Sequence, residues 1–242
     1  MRRRMTAFAL LVAFFNAAPA LAGSMELYPV RIDLAAERPS ATMKVRNTGA
    51  ERMTVEVRTA AWAQDGGADA YQPTRAVLAS PPVFELPPGA EQVVRVGLVE
   101  HTAGGRTAGG VEGAYRIFLQ ELPEPAAHRG EAVRTLLRVG VPVFVNTAGG
   151  AAPALGWAAR REGGALVLEA RNTGTAHARI HALSVASAGA PPRPLEGLGG
   201  YVLPGATRRF VVQANRVPGS TRTIDIEAQT SHGPSRETVP IR

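Results

Sequence analysis

The stretch over residues 115–145 decides the fold of this chain. It reads YRIFLQELP over residues 115–123, continues through a short polar loop, and ends as VRTLLRVGVPVFV over residues 133–145. Every other residue of the last segment is aliphatic or β-branched: Val133, Thr135, Leu137, Val139, Val141, Val143 and Val145. Because side chains two apart share one face of a β-strand, this pattern predicts a long strand with one apolar face. Such a stripe is either buried in its own domain, or its first part projects and is covered by another chain.

The two halves of this stretch predict an antiparallel hairpin closed by the polar loop. If the hairpin is symmetric about residue 127, Arg116 lies directly opposite Arg138. Like charges in that position destabilise a sheet unless an anion neutralises them. A bound carboxylate would do so, and the alternative is that both arginines are solvated or paired with Glu121 or Glu131.

The first 22 residues have the composition of a secretory signal peptide. Three arginines at positions 2–4 precede a short apolar run over residues 7–15, and Ala20-Leu21-Ala22 offers a small-residue cleavage site. The sequence therefore predicts cleavage after Ala22 and an exported mature chain of about 220 residues. No later segment is apolar over the length that a transmembrane helix needs, so no membrane insertion of the mature chain is expected.

Charge and cysteine content narrow the class of protein. Without the signal arginines the chain has 24 basic and 20 acidic residues, a net charge of +4, and Lys44 is its one lysine. This modest charge, without basic runs interleaved with aromatics, argues against nucleic acid as a partner. An exported fold without cysteine has no disulfides and must rest on an apolar core, which 45% hydrophobic residues can supply.

Short alternating runs between Gly, Pro and Asn predict an all-β chain of two tandem sandwiches. The word VRNTG at residues 45–49 returns as ARNTG at 170–174, and LPPG at 86–89 is echoed by VLPG at 202–205. Two turn words in the same order, each beside a strand, favour duplication, although such words also recur by chance.

The boundary between the two sandwiches is expected in the small-residue stretch over residues 146–153, which suits a hinge. The predicted organisation is a signal peptide over 1–22, a first domain over 23–147 and a second over 148–242.

These words together resemble the PapD-like periplasmic chaperones of chaperone–usher pilus or fimbria assembly. The matching phrases occur in family order: Pro29-Val30-Arg31, VRNTG at 45–49, Trp62, PPVFELPPG at 81–89, Val94-Arg95-Val96, the phrase at 115–123 and the strand at 133–145. The resemblance covers residues 24–147 well, and the rest only in length and pattern.

The resemblance implies two immunoglobulin-like domains in an L shape. It also implies that the chain binds pilus, fimbrial or spore-coat-like subunits in the periplasm and delivers them to an outer-membrane usher. The subunit lacks a strand, and the chaperone supplies its own strand in that place. On this sequence the supplied strand comprises Val133, Thr135, Leu137 and Val139, while Val141, Val143 and Val145 belong to the chaperone's own core. A free apolar edge also favours self-association of the unbound chaperone.

In the family, two basic residues bind the terminal carboxylate of the subunit and so fix the strand register. Arg31 matches the first of them. The second is usually a lysine on the supplied strand, where this chain has Pro142. We therefore expect an anion site of Arg31 and Arg116, with Arg138 in reserve.

Other functions have weaker support in the sequence. An enzyme is not expected, because there is no G-x-S-x-G word and no thiol, and neither a cofactor nor a metal is predicted. The alternative from another class is a structural or adhesive surface protein of two β-sandwich modules. Such a subunit would usually carry an N-terminal donor segment and a cysteine pair, and neither is visible.

Overall fold

The computed structural model of the chain describes residues 25–99, 110–123, 135–146, 150–187, 190–213, 217 and 219–242. All regular structure in these ranges is β-strand. The predicted signal peptide, the predicted boundary between residues 147 and 148, and Val133 lie outside the described residues.

The described residues of the first half of the chain form ten strands in two sheets. They are β1 (Met25–Tyr28), β2 (Ile32–Ala35), β3 (Ser40–Asn47), β4 (Met53–Asp65), β5 (Ala68–Pro73), β6 (Val77–Ser80), β7 (Val83–Leu86), β8 (Glu91–Leu98), β9 (Gly113–Leu122) and β10 (Arg138–Asn146). One sheet has the order β1-β3-β8-β6, and the other has the order β2-β10-β9-β4-β5 with β7 also paired to β4.

The second half contains eight strands, also in two sheets. They are β11 (Leu155–Glu162), β12 (Ala165–Asn172), β13 (Ala178–Ser187), β14 (Arg193–Pro194), β15 (Gly200–Val202), β16 (Thr207–Val212), β17 (Thr223–Thr230) and β18 (Gly233–Pro240). The sheets have the orders β11-β12-β16 and β14-β13-β17-β18, with β15 also paired to β13. The expected all-β fold of two tandem immunoglobulin-like sandwiches is thus present.

Alternation of apolar residues explains both cores. In β9, Tyr115, Ile117 and Leu119 are buried on one face, as period-two patterning requires. They pack with Met43 and Val45 of the facing sheet in one apolar cluster. A second cluster lies in the other half, and the two halves meet at a third cluster of Trp62, Phe144, Leu203 and Ala206.

The repeated turn words form the same hydrogen-bonded structure twice. The side-chain amide of Asn47, which is fully buried, donates to the carbonyls of Leu86 and Glu51, while its oxygen accepts the N–H of Gly49. The equally buried Asn172 repeats this network with a second set of partners: Val202, Ala176 and Gly174. Each asparagine thus joins its own turn to the strand before the Pro-Gly turn, which supports the interpretation of the echo as a duplication.

Candidate functional site

One edge of β10 is only partly covered. The parallel strand β2 pairs with Val143–Asn146 of β10, whereas β9 pairs with the whole strand from Arg138 onwards. Within the described residues, no strand pairs with the outer edge of residues 138–142. An uncovered strand edge presents main-chain donors and acceptors to which another strand can add.

The hydrogen-bond pattern explains why Pro142 is tolerated in this strand. The main-chain N–H of Glu121 donates to the carbonyl of Leu137, so these two residues form a hydrogen-bonded pair. Val141 and Ile117 are four positions further along the register, and they therefore form a hydrogen-bonded pair as well. Main-chain groups alternate in direction along a strand, so those of Pro142 point away from β9. The missing N–H of Pro142 therefore removes no hydrogen bond to β9. Proline is tolerated in a sheet at positions of this kind, where the N–H side faces an unpaired edge.

Burial falls steadily along the inner face of β10 and the residues before it. Val145, Val143 and Val141 are buried in the first core. Val139 and Leu137 are half-buried, and Thr135 is exposed. The fully buried part of the inner stripe therefore ends at Val141, and burial declines from there towards residue 135. The strand begins at Arg138, however, and is shorter than the alternation alone predicted.

The row across the sheet at Pro142 brings two of the predicted basic residues together. Pro142 pairs with Arg116 of β9 on one side. On the other side of β10, Ile32 pairs with Val143 in a parallel register. Arg31 and Pro142 each precede one of these residues, so they lie at the same level of the sheet. Arg31 and Arg116 thus flank Pro142 in the sheet. The Arg31 side chain is 41% exposed, and its Nε donates to Asp33 Oδ2 at 3.0 Å.

Arg116 is held by aromatic and main-chain contacts. Its guanidinium carbon lies 4.1 Å from the ring centroid of Trp62, and one terminal nitrogen donates to the Gly140 carbonyl at 3.3 Å. Its Nε is shielded from solvent and has no hydrogen-bond partner among the residues that the structure describes. A Cβ added to Gly140 would lie 3.3 Å from Arg116 Cδ and 3.3 Å from the Phe118 ring, so glycine provides the space that this side chain occupies.

Arg116 also affects the ionisation of a neighbouring tyrosine. Its guanidinium carbon lies 5.9 Å from the ring centroid of Tyr71. Desolvation raises the pKa of Tyr71 above its usual value, the positive charge of Arg116 partly opposes this, and the nearby Asp69 carboxylate adds to the rise.

The predicted pairing of Arg116 with Arg138 is wrong. Arg138 lies opposite Gln120, and the hairpin is centred on residue 129 instead of 127. The shift changes each partner by an even number of residues, so the apolar faces are preserved and the alternation could not detect it. Arg138 lies over the Phe118 ring, with 4.4 Å between guanidinium carbon and centroid. It is four residues from Pro142 along the strand, so it does not join the row of Arg31 and Arg116.

The contacts between the two halves include residues that the sequence analysis missed. Phe144 points to the outer face of its sheet, is fully buried, and contacts Trp62, Tyr201 and the imidazole of His177. The uninterrupted apolar run over residues 141–145 was the available signal, because burial on both faces removes the alternation.

One polar side chain also joins the two halves. The amide of Gln64 donates to the Tyr201 carbonyl and accepts the Leu203 N–H, both at 2.9 Å. No sequence pattern links residues that are nearly 140 positions apart.

Among the described residues, no group of three or more histidine and acidic side chains could hold a metal ion. None of the described residues belongs to a helix with the length and apolarity required to cross a membrane.

Comparison with known proteins gives matches at the levels of fold and family. No curated protein sequence matches this chain. Its structure is similar to a chain of the CsuC–CsuE chaperone–tip adhesion subunit pre-assembly complex from the archaic chaperone–usher Csu pili of Acinetobacter baumannii. That match has a TM-score of 0.67 and 23% identity, covering 90% of this chain and 99% of that one.

Two further solved structures have the same fold. The YadV chaperone matches with a TM-score of 0.63 and 14% identity, over 88% of this chain and 98% of its own. A chain of the Salmonella enterica SafA pilin–SafB chaperone complex matches with a TM-score of 0.60 and 18% identity, over 88% and 95%. At these identities the likeness establishes the fold.

The family model of the pili and flagellar-assembly chaperones, PapD N-terminal domain, matches residues 24–149, just over half of the chain. That match spans both sheets of the first sandwich, the open edge of β10 and the row of Arg31 and Arg116. This chain belongs to the family of PapD-like pilus-assembly chaperones.

Proposed function

We propose that this chain is the chaperone of an exported pilus or fimbrial subunit and completes the subunit's sandwich with its own strand. The single observation that carries the proposal is the open edge of β10 beside an inner face whose burial declines from Val141 to Thr135. The open edge offers main-chain bonds, and Leu137 and Val139 offer alternate apolar side chains. Strand addition to an incomplete sheet requires both at once.

The known chaperone complexes support a pilus subunit as the partner. The similar solved structures include one named as a complex with a tip adhesion subunit and one named as a complex with a pilin. Full burial of an aliphatic side chain such as Leu137 or Val139 contributes about 1.5–3 kcal/mol. Thr135 contributes less apolar area, so affinity depends mainly on these two side chains and on Val133.

The terminal carboxylate of the subunit is the proposed ligand of Arg31 and Arg116. The two residues flank Pro142 in the sheet, so a carboxylate bound above that proline is the anion that we expect both of them to contact. Charge-assisted hydrogen bonds to such a group contribute about 1.5–3 kcal/mol each.

The proposed setting is the periplasm. The basic and apolar start of the chain supports export with cleavage after Ala22. Delivery of the subunit to an outer-membrane usher completes the proposed role, which requires binding and release and no catalytic step.

Co-expression with a subunit from the same gene cluster tests the proposal. We expect the subunit to be soluble only with this chain, and Leu137→Glu to abolish that solubility because a charge would enter an apolar groove. Two variants serve as controls: Leu136→Glu changes the neighbouring residue on the opposite face, and Val211→Glu changes an exposed residue of the second half. Full capture by Leu137→Glu, or equal loss in Val211→Glu, would contradict the proposal.

A further inference from the structure

Glu121 is a carboxylate where the alternation of β9 calls for an apolar side chain. The inner face of this strand carries Tyr115, Ile117 and Leu119, all buried in the first core. Glu121 continues the same face and is 2% exposed. Its partner on the neighbouring strand is Val55, also a core residue. A carboxylate in such a place is costly unless its oxygens are hydrogen-bonded.

This carboxylate bonds the main chain of Leu137. The N–H of Glu121 donates to the Leu137 carbonyl at 2.9 Å, as in a regular antiparallel pair. The N–H of Leu137, however, donates to Glu121 Oε2 at 3.2 Å. In a regular pair the second bond would also join main chain to main chain. The Glu121 side chain thus accepts the hydrogen bond that the Glu121 main-chain carbonyl would accept in a regular pair. The regular strand β10 begins one residue later, at Arg138.

The two bonds fix which residue faces inward at the end of the strand. Both polar groups of Leu137 are directed towards β9, so its side chain shares the inner face with Val139 and Val141. A slip by one residue would place Leu136 in this position and turn Leu137 outward. Such a slip would also separate the buried Glu121 carboxylate from its main-chain donor, which opposes it.

We propose that Glu121 is a positioning residue for subunit capture: its carboxylate sets the register of residues 135–137 before the subunit binds. This inference rests on the proposed function, since residues 135–137 belong to the segment that enters the subunit. A segment held in its bound register loses less conformational freedom on binding. The carboxylate thus lies where the chain's own ladder ends, beside Leu137 of the supplied segment.

The unsubstituted protein gives the first test, by hydrogen exchange of individual amides. We expect the Leu137 amide to exchange at least about tenfold more slowly than the Leu136 amide, because only the former has an acceptor in the described structure. Equal rates for the two amides would overturn the inference, and this outcome does not depend on the folding of any variant.

Two substitutions give the second test. Glu121→Leu removes the acceptor but preserves the volume and the apolar character of the inner face. We expect it to release the Leu137 amide and to lower subunit capture about tenfold. Its thermal midpoint should change by no more than a few degrees, because the Leu137 N–H that it releases is only part-buried and can be solvated. Glu121→Gln keeps an acceptor oxygen and should retain both the slow exchange and the capture.

The pattern across the variants separates a positioning role from a structural one. A merely structural role would lower thermal stability and capture together in Glu121→Leu. Unchanged capture and unchanged Leu137 exchange in Glu121→Leu would overturn the inference, as would a loss of capture in Glu121→Gln equal to that in Glu121→Leu.

Leu137→Glu measured in the same experiment separates this inference from the function it rests on. If Leu137→Glu also captures normally, the proposed function itself fails. If Leu137→Glu loses capture and Glu121→Leu does not, only the role of Glu121 is excluded.

Discussion

Glu112 and His177 join the two halves of the molecule through one buried carboxylate oxygen. Glu112 Oε2 accepts the main-chain N–H of His177 at 2.8 Å and lies 2.7 Å from His177 Nδ1, which donates to it in the tautomer that carries its proton on that nitrogen. The Phe144 ring stacks on the imidazole with 3.6 Å between centroids, and both polar side chains are almost fully buried. The N–H of Glu112 also donates to the Thr175 carbonyl, so the main chains of the two halves are bonded at the same point.

Removal of either partner should destabilise the protein strongly. We expect Glu112→Ala to cost about 3 kcal/mol or more of unfolding free energy, because it leaves two buried donors of His177 without an acceptor. Urea denaturation measures this. The double variant Glu112→Ala/His177→Ala should cost less than the two single changes added together, since the residues are coupled. Additive costs would show that the pair does not couple the two halves.

Alkaline titration of Tyr71 should report on Arg116. Desolvation raises the pKa of Tyr71 and the charge of Arg116 lowers it, so Arg116→Met should raise that pKa further. Tyr115 is the matched control, because burial raises its pKa and the charge of Arg116 is not a cause of that rise. NMR of the tyrosine ring carbons resolves the two residues, and an unchanged Tyr71 pKa would show that Arg116 does not lie beside it in solution.

The raised pKa of Tyr71 also determines how the stability of the fold depends on pH. A tyrosine whose pKa is raised by folding binds its proton more tightly in the folded state than in the unfolded state. The resulting stability is fully present below the ordinary tyrosine pKa of about 10 and is lost as the pH rises through the folded value. Arg116→Met should therefore increase the sensitivity of the fold to alkaline pH through Tyr71.

Gly140→Ala should weaken subunit capture by displacing Arg116. The added Cβ would meet Arg116 Cδ and the Phe118 ring at 3.3 Å each, so both side chains must move by a few tenths of an ångström. Gly156→Ala is the matched control, because it also lies in a strand but its Cβ would meet nothing within 4 Å. Binding of the subunit measured by calorimetry should weaken only for Gly140→Ala; equal affinities would exclude a role for the space at Gly140.

The two buried asparagines should stabilise different halves. Asn47→Ala leaves the carbonyls of Leu86 and Glu51 without this donor, and each buried polar group left without a partner costs about 1–3 kcal/mol. Asn172→Ala should have the same effect in the second half. Hydrogen exchange by mass spectrometry should show faster exchange mainly in the half that carries the substitution. Equal acceleration in both halves for each variant would contradict separate roles.

Alternation and turn chemistry were sufficient to predict the strands and the tandem arrangement. The alternating residues of β9 and β10 fixed their buried faces, and the repeated asparagine words proved to occupy equivalent buried sites. Alternation could not predict the register of the β9–β10 hairpin, because a shift of the pairing by an even number of residues keeps every side chain on the same face of the sheet. Arg116 was therefore predicted as an anion ligand on the basis of a wrong partner, Arg138, although it lies beside Pro142.

The contacts between the halves could not be predicted for a different reason. Glu112 and His177 are 65 residues apart and follow no shared periodicity. Their pairing depends on how two complete sandwiches meet, and the sequence of either sandwich does not specify that. The sequence suggested Glu121 only as an ion-pair partner of Arg116 or Arg138. Alternation predicts that position 121 faces inward, but it does not explain why a charged residue stands there.

Pro142 also limits how far a strand of the subunit can pair along the open edge of β10. The donors on the outer edge come from Arg138 and Gly140, and the next position in that row has no N–H to give. Beyond it, β2 already occupies the edge from Val143 onwards. A strand of the subunit can therefore pair with residues before Pro142 and not with residues after it. The proline and β2 thus set the end of the added strand by main-chain geometry, separately from any side chain that fills the subunit's groove.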